Sequence, residues 1–292
     1  MPLINITPFR QIARIYGAML AAERSLHNLS ENQRELIKFQ IENCKSEKYI
    51  QVETSKPDPK PIDIYERLNL TLLLDKSSLV DKSLIDHGHW EPDQTSFFFG
   101  TMANFLGERK TAFLDVGSYW GLYSLLARRA GINKIFAFEP DRYNFSQLQS
   151  QLFLNNATGD IKAINKAISD KSQVVNFWDS RTHPSGNRAG SAVVGSDFHR
   201  PTYEVSATSL DEMFDFIDHF IWIKLDVEGH EANALRGMKN LVSNNQVLIQ
   251  VEVFDINKES IIRELDGLGL RKVHEIYPDQ YYTNMSDGRI QF

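Results

Sequence analysis

Residues 113–140 constrain this chain most. Phe113-Leu114-Asp115-Val116 is an apolar strand, Gly117-Ser118-Tyr119-Trp120-Gly121 a glycine turn leading into a helix, and Ile135-Phe136-Ala137-Phe138 a second apolar strand that ends in Glu139-Pro140. Strand, glycine turn, helix and strand make the first half of a nucleotide-binding α/β unit. An acid directly after the second strand can bridge both hydroxyls of a ribose, which implies an adenosine-bearing cofactor.

Glycine spacing separates the cofactors. A dinucleotide needs G-x-G-x-x-G, so that a pyrophosphate can approach the helix N-terminus. Here the pattern is Asp115, Gly117 and Gly121, with bulky Tyr119 and Trp120 between the glycines. That crowds a pyrophosphate and suits S-adenosylmethionine, whose amino-acid end Asp115 would hold by its ammonium. A nicotinamide-dependent oxidoreductase is the rival within enzymes, but the third glycine is missing. An α/β turn without any ligand is the bland alternative.

A second segment carries charge into an apolar strand. In Phe220-Ile221-Trp222-Ile223-Lys224-Leu225-Asp226, a run expected at the centre of a sheet, Lys224 and Asp226 point to one face, about 7 Å apart. Glu252, near the end of a neighbouring predicted strand, is a candidate partner. Either Lys224 and Glu252 neutralise each other and Glu228-Gly229-His230-Glu231 opens a helix, or the cluster faces a methyl acceptor at the carboxyl edge of the sheet. In the second reading Asp226, Glu228 and His230 are each candidate bases, and Asp226 with Glu228 or Glu252 is a possible, less favoured, divalent-metal site.

Composition narrows the partners. The chain has 292 residues, is 42% hydrophobic and carries a formal charge of −6, with no basic stripe to suggest nucleic acid. Its one cysteine, Cys44, allows neither an internal disulfide nor a multi-cysteine zinc site, and fits a reducing cytoplasm. No apolar run reaches the length of a membrane span.

Three regions are expected. Residues 1–55 read as a helical N-terminal extension: an amphipathic pair packed on the main domain, or a homodimer arm or a cover over the active site. Residues 56–111 read as a proline-stiffened linker and a lead-in of short helices and turns. Within it, His87-Gly88-His89-Trp90-Glu91-Pro92 invites a metal, but a turn with a packed tryptophan is preferred, with Trp90 or Glu91 leading into the cofactor site as a middle option. Residues 112–292 read as the α/β domain, with strands near 112–116, 134–139, 161–168, 172–178, 220–226, 246–254 and 271–277. Helices are expected near 120–130, 141–155, 208–216, 229–242 and 257–266. Residues 179–202 read as a long loop, a lid or a solvated surface, whose Arg181, His183, Arg188, His199 and Arg200 would suit an acceptor bearing phosphate, carboxylate or many hydroxyls.

Together these motifs resemble the FkbM family of S-adenosylmethionine-dependent methyltransferases. The matching residues are Trp90-Glu91-Pro92, Asp115-Val116-Gly117 with Gly121-Leu122-Tyr123-Ser124-Leu125, Phe138-Glu139-Pro140, Ala167-Ile168-Ser169 and, most specific, Lys224-Leu225-Asp226-Val227-Glu228-Gly229-His230-Glu231. The resemblance implies a class I methyltransferase fold, Rossmann-like with a seven-stranded, mostly parallel sheet. It also implies O-methylation of a hydroxyl on a sugar, glycan or glycosylated or polyketide-like metabolite. Asp115, Gly117, Ser118, Gly121, Glu139, Pro140, Ala167 and Asp226 would then hold the cofactor, and Lys224, Asp226, Glu228 and His230 would serve catalysis. One departure stands out: the family usually has Ala-Asn-x before the second glycine, where this chain has Ser118-Tyr119-Trp120. A methyltransferase-like module kept only for binding is the alternative that this departure supports.

Overall fold

The computed structural model describes residues 62–106, 110–183, 186–195, 197–286 and 290. The expected N-terminal helices, the proline-rich linker and the dimer arm lie outside the described residues.

The described chain opens on a hairpin, β1 (Ile62–Arg67) and β2 (Leu70–Asp75), in a segment expected to hold only short helices and turns. Leu68 and Asn69, both at φ 54, make the two-residue left-handed turn that matches strand twist. Helices α1 (Leu79–His87) and α2 (Pro92–Met102) follow. The core then alternates: β3 (Lys110–Val116), α3 (Leu122–Arg129), β4 (Lys134–Phe138), α4 (Arg142–Leu154) and β5 (Ile161–Ile164). Strands β6 (Ala167–Ile168), β7 (Gln173–Trp178) and β8 (Thr202–Thr208) form a separate three-stranded sheet in the order β6-β8-β7. The chain continues as α5 (Leu210–Met213), β9 (His219–Leu225), α6 (Glu231–Arg236), α7 (Lys239–Asn244), β10 (Gln246–Glu252), α8 (Lys258–Gly267), β11 (Arg271–Ile276) and β12 (Asp279–Thr283).

The main sheet has seven strands in the order β11-β12-β10-β9-β3-β4-β5, with β12 antiparallel to both neighbours and the other pairs parallel. This is the class I methyltransferase sheet. Its central strand, β9, is buried at every residue. Phe220 and Trp222 pack into one core with Phe98, Phe113 and Tyr281, while Ile221, Ile223 and Leu225 pack into the other with Leu114, Val116 and Val251. Strand alternation therefore builds two cores from one run of residues, each large side chain contributing about 1.5–3 kcal/mol by burial.

Several expectations shift. The strand expected over 161–168 is two strands in different sheets, and the one expected over 172–178 belongs to the small sheet. β12 completes the large sheet instead. The helix expected over 229–242 is broken at Gly237, and the one over 208–216 is a single turn held by a capping box between Ser209 and Glu212. The run 179–202 carries two short 3₁₀ turns, at Ser180–Thr182 and Arg188–Gly190, before β8 begins.

Candidate active site

Chain order reverses across the sheet between β3 and β9, and the crevice outside their carboxyl ends is where open α/β sheets bind ligands. The glycine turn sits there. Gly117, at φ +83, lies so close to β9 that an added Cβ would stand 1.7 Å from the Asp226 carbonyl oxygen. Its amide and that of Ser118 donate to the Phe138 carbonyl, at 3.0 and 2.9 Å. Gly121, at φ +87, clears Leu148 of α4 and starts α3.

Two chambers flank this turn. A narrow slot is lined by Gly117, Tyr119, Phe138, Glu139, Pro140, Asn144, Lys166, Ala167, Ile168, Phe177, Ala189, Ser191, Val193, Asp226, Val227 and His230. A roomier chamber of about 310 Å³ is lined by residues including Trp90, Glu91, Asp115, Ser118, Tyr123, Lys224, Glu228, Glu252 and Phe254. Gly117, Tyr119, Ala189 and Asp226 line both, so the chambers meet at the turn.

Glu139 lies in the slot, 5% exposed, and its carboxylate accepts from the amides of Tyr119 and Asp141, each at 2.8 Å. Burial, then the neighbouring Asp141, holds its carboxyl well above the usual range. Ser191 Oγ is buried in the slot and Ser118 Oγ in the chamber, and neither has a hydrogen-bond partner among the described residues. A slot lined by an acid and meeting a polar chamber at a glycine turn is an arrangement that could take an adenosine joined to an amino-acid group.

Lys224 forms the floor of the chamber. It is buried, its Nζ meets Asp226 Oδ2 at 2.6 Å, and it stands 4.9 Å over the Tyr123 ring. Burial alone would lower its pKa, but Asp226, Glu91, Tyr123 and Asp279 more than offset that and hold it well up. The expected neutralising partner, Glu252, is replaced by Asp226. In the sheet register Asp115 and Gln250 flank Lys224, which makes a polar row across three strands. Asp115 Oδ2 accepts from Ser124 N and Oγ, at 3.0 and 2.6 Å, and burial pushes its carboxyl up to about 6. Glu91 accepts from Trp90 Nε1 and Tyr123 OH, at 2.9 and 2.7 Å.

Glu228 opens to solvent at the mouth of the chamber, in the left-handed region at φ 54. Surrounding protein, then Asp226, pushes its carboxyl up to about 8. The same two causes push half-buried Glu252 up to about 9. His230 lines the slot rather than the chamber, with its Nε2 3.0 Å from Ser169 Oγ. Lys224, Asp226 and Glu228 thus meet in the chamber, while Glu139, Pro140, Ala167 and His230 gather in the slot. Among the described residues no group of three or more His, Cys, Asp or Glu is arranged to hold a metal. His87 and His89 have ring centroids 6.2 Å apart near the end of α1.

Tyr119 and Trp120 do not fill the cleft. Trp120 is fully buried, and its Nε1 donates to Asp81 Oδ1 at 2.8 Å. The Tyr119 hydroxyl bonds Ser78 Oγ and Asp81 Oδ1, at 2.7 and 3.0 Å. Both side chains are drawn toward α1. The basic loop is also turned inward or paired: Arg181 binds Asp179, Arg188 is buried, and Arg200 stands over Trp178. Sequence reasoning missed the Asp81 hub and the slot wall at Ala189, Ser191 and Val193, since no local pattern links residues so far apart in the chain.

The fold and this crevice define a class I methyltransferase. A methyltransferase FkbM domain model matches residues 103–271, and the chain belongs to that family. The hexuronic acid methyltransferase AglP of Haloferax volcanii is 28% identical over 138 residues, 47% of this chain and 54% of that protein. The chain thus matches about half the length of this curated relative. Among solved structures, an S-adenosylmethionine-dependent methyltransferase from Agrobacterium tumefaciens aligns with TM-score 0.41 and 11% identity, over 78% of this chain and 71% of its own. The M. jannaschii protein TYW2, in complex with AdoMet, aligns with TM-score 0.40 and 11% identity, over 77% and 85%. Likenesses this distant say nothing about an acceptor. Among the described residues no helix is long and apolar enough to cross a membrane.

Proposed function

We propose that the protein transfers a methyl group from S-adenosylmethionine to a hydroxyl of a sugar, glycan or glycosylated metabolite. The observation that carries this reading is the junction of slot and chamber at Gly117 and Asp226. Adenosine would occupy the slot, with Glu139 toward the ribose and Pro140, Ala167, Ser191 and His230 as its walls. Asp115, Ser118 and Gly121 would frame the amino-acid end. When bound, the cofactor supplies an electrophilic methyl on a sulfonium.

The residues of the chain do the rest. Asp226, fixed by Lys224, accepts a hydrogen bond from a neighbouring hydroxyl of the acceptor and so aims the reacting oxygen at the junction, leaving its own proton toward Glu228. Such alignment removes several kcal/mol of barrier. As the oxygen–methyl bond forms and the sulfur–methyl bond breaks, the hydroxyl proton passes to the Glu228 carboxylate. A carboxyl near pH 8 is a stronger base than an ordinary one, and a positioned base is worth about 10²–10⁴ in rate. Glu91, Glu252, Trp90 and Phe254 offer carboxyls and apolar faces, a pairing that suits a polyhydroxylated ring. AglP, a hexuronic acid methyltransferase by name, supports a sugar acceptor.

The test combines calorimetry and turnover. Wild-type protein should bind S-adenosylhomocysteine and not NAD. Glu139→Ala should lose that binding. Asp226→Asn should keep it and lose about 10²-fold in methyl transfer to a panel of glycosides, followed by mass spectrometry. Normal turnover by Asp226→Asn would remove the catalytic assignment, and binding of NAD alone would remove the cofactor.

A further inference from the structure

Asp75 and Asp81 lie outside the family match, yet they reach its cofactor turn. Asp81 is completely buried and accepts from Asp75 N at 2.9 Å and Gln147 Nε2 at 2.8 Å, as well as from Tyr119 and Trp120. Arg188 comes to the same hub from the loop between β7 and β8, 5% exposed. Its fork donates to Asn144 Oδ1 and Gln147 Oε1, both at 2.9 Å, and lies 3.5 Å from Asp81 and 3.6 Å from Asp75. The guanidinium also stands 5.4 Å over the Tyr119 ring. Both terminal nitrogens of this buried guanidinium are held while its Nε has no hydrogen-bond partner among the described residues, and moving the loop from this position would strip the remaining contacts from a buried charge.

Two walls of the cleft depend on that position. Ala189, the next residue, lines both chambers, and Ser191 and Val193 line the slot. Tyr119, gripped by Asp81 and covered by Arg188, donates its amide to Glu139. We propose that Arg188, held by Asp81, is a positioning residue for the cofactor: it fixes the outer wall of the slot and the turn that orients Glu139. This rests on the assignment of the slot to S-adenosylmethionine. Arg188 thereby does the work of ordering the site, instead of meeting an anionic acceptor.

A purely structural role and a positioning role differ in what they move. A structural contact changes the melting point and leaves the affinity of the folded protein alone. Calorimetric Kd for S-adenosylhomocysteine and for adenosine should therefore be measured on wild type, Arg188→Lys and Tyr119→Phe, each well below its own melting point. Lysine keeps the charge and loses the fork. Phenylalanine keeps the ring and loses the hydroxyl's bonds to Asp81 and Ser78, while Asp81 retains three other donors. Both ligands should weaken by about tenfold in Arg188→Lys, equal to about 1.4 kcal/mol, and measurably in Tyr119→Phe. Affinities within about twofold of wild type in both variants overturn the proposal, whatever their melting points. Should Arg188→Lys fail to fold, Tyr119→Phe decides alone. Failure of the wild type itself to bind S-adenosylhomocysteine overturns the cofactor reading and this proposal together, and so is distinct from loss of the positioning role only.

Discussion

Glu228 shows how backbone and charge combine at one residue. It occupies the left-handed region that only glycine adopts freely, so its conformation is imposed by the turn that follows β9. That turn lifts the carboxyl to the mouth of the chamber, where the surrounding protein first and Asp226 second push it up to about 8. A base acts deprotonated. Its raised pKa therefore predicts that kcat/KM climbs with pH and levels off above about 8, and that Glu228→Gln flattens this limb while leaving cofactor affinity unchanged. A pH–rate profile of the two proteins checks it. Residue types were legible in the sequence here: Lys224, Asp226 and Glu228 were singled out as one cluster, and they do line one chamber. Their pairing was not legible. Strand spacing put Lys224 and Asp226 on one face but could not show which acid the ammonium would choose. Nor could a lone tyrosine and tryptophan in a glycine turn reveal that Asp81 ties the polar ends of both to α1.

At the scale of elements, sequence patterns served where hydrophobic runs were continuous and failed where contacts were polar or distant. Strands β3, β4, β9 and β10 fell within a few residues of expectation because burial on both faces demands unbroken apolar runs. β12 was missed because Asp279-Gln280-Tyr281-Tyr282-Thr283 has no such run. It is nevertheless buried throughout, with Asp279 bonded by Gln94 and Gln250, and Gln280 by Tyr282. The break between α6 and α7 has a steric cause that periodicity cannot carry. A Cβ on Gly237 would lie 2.1 Å from the Ser169 carbonyl oxygen, and Ser169 in turn holds His230. Gly237 has an ordinary negative φ, so the conflict is one of space alone. Gly237→Ala should cost about 1–3 kcal/mol in urea unfolding, by overpacking. A loss below a few tenths would show that the two segments separate freely.

Across the whole molecule, acids crowd the carboxyl edge of the sheet. Asp115 and Asp279 are pushed up to about 6 and Glu252 to about 9, first by burial, and solvent-facing Glu228 to about 8, first by the protein crowded around it. A carboxyl whose folded pKa exceeds its unfolded one favours the folded state most below the unfolded value. It withdraws that support as pH rises through the folded value. For Glu252 the window runs from the ordinary 4.5 to about 9. Glu252→Gln should therefore raise the melting temperature at pH 9 and leave it nearly unchanged near pH 4, a contrast that paired thermal melts would show. An equal shift at both pH values would assign the gain to packing instead.

Glu139 is held from within the chain, by the amides of Tyr119 and Asp141. On the proposed assignment, these contacts shape the bend that would meet the ribose as the chain folds, and its conformational entropy is lost once, not at each encounter. An incoming nucleoside would meet a rigid seat, and its arrival would be limited by diffusion and desolvation instead of by backbone rearrangement.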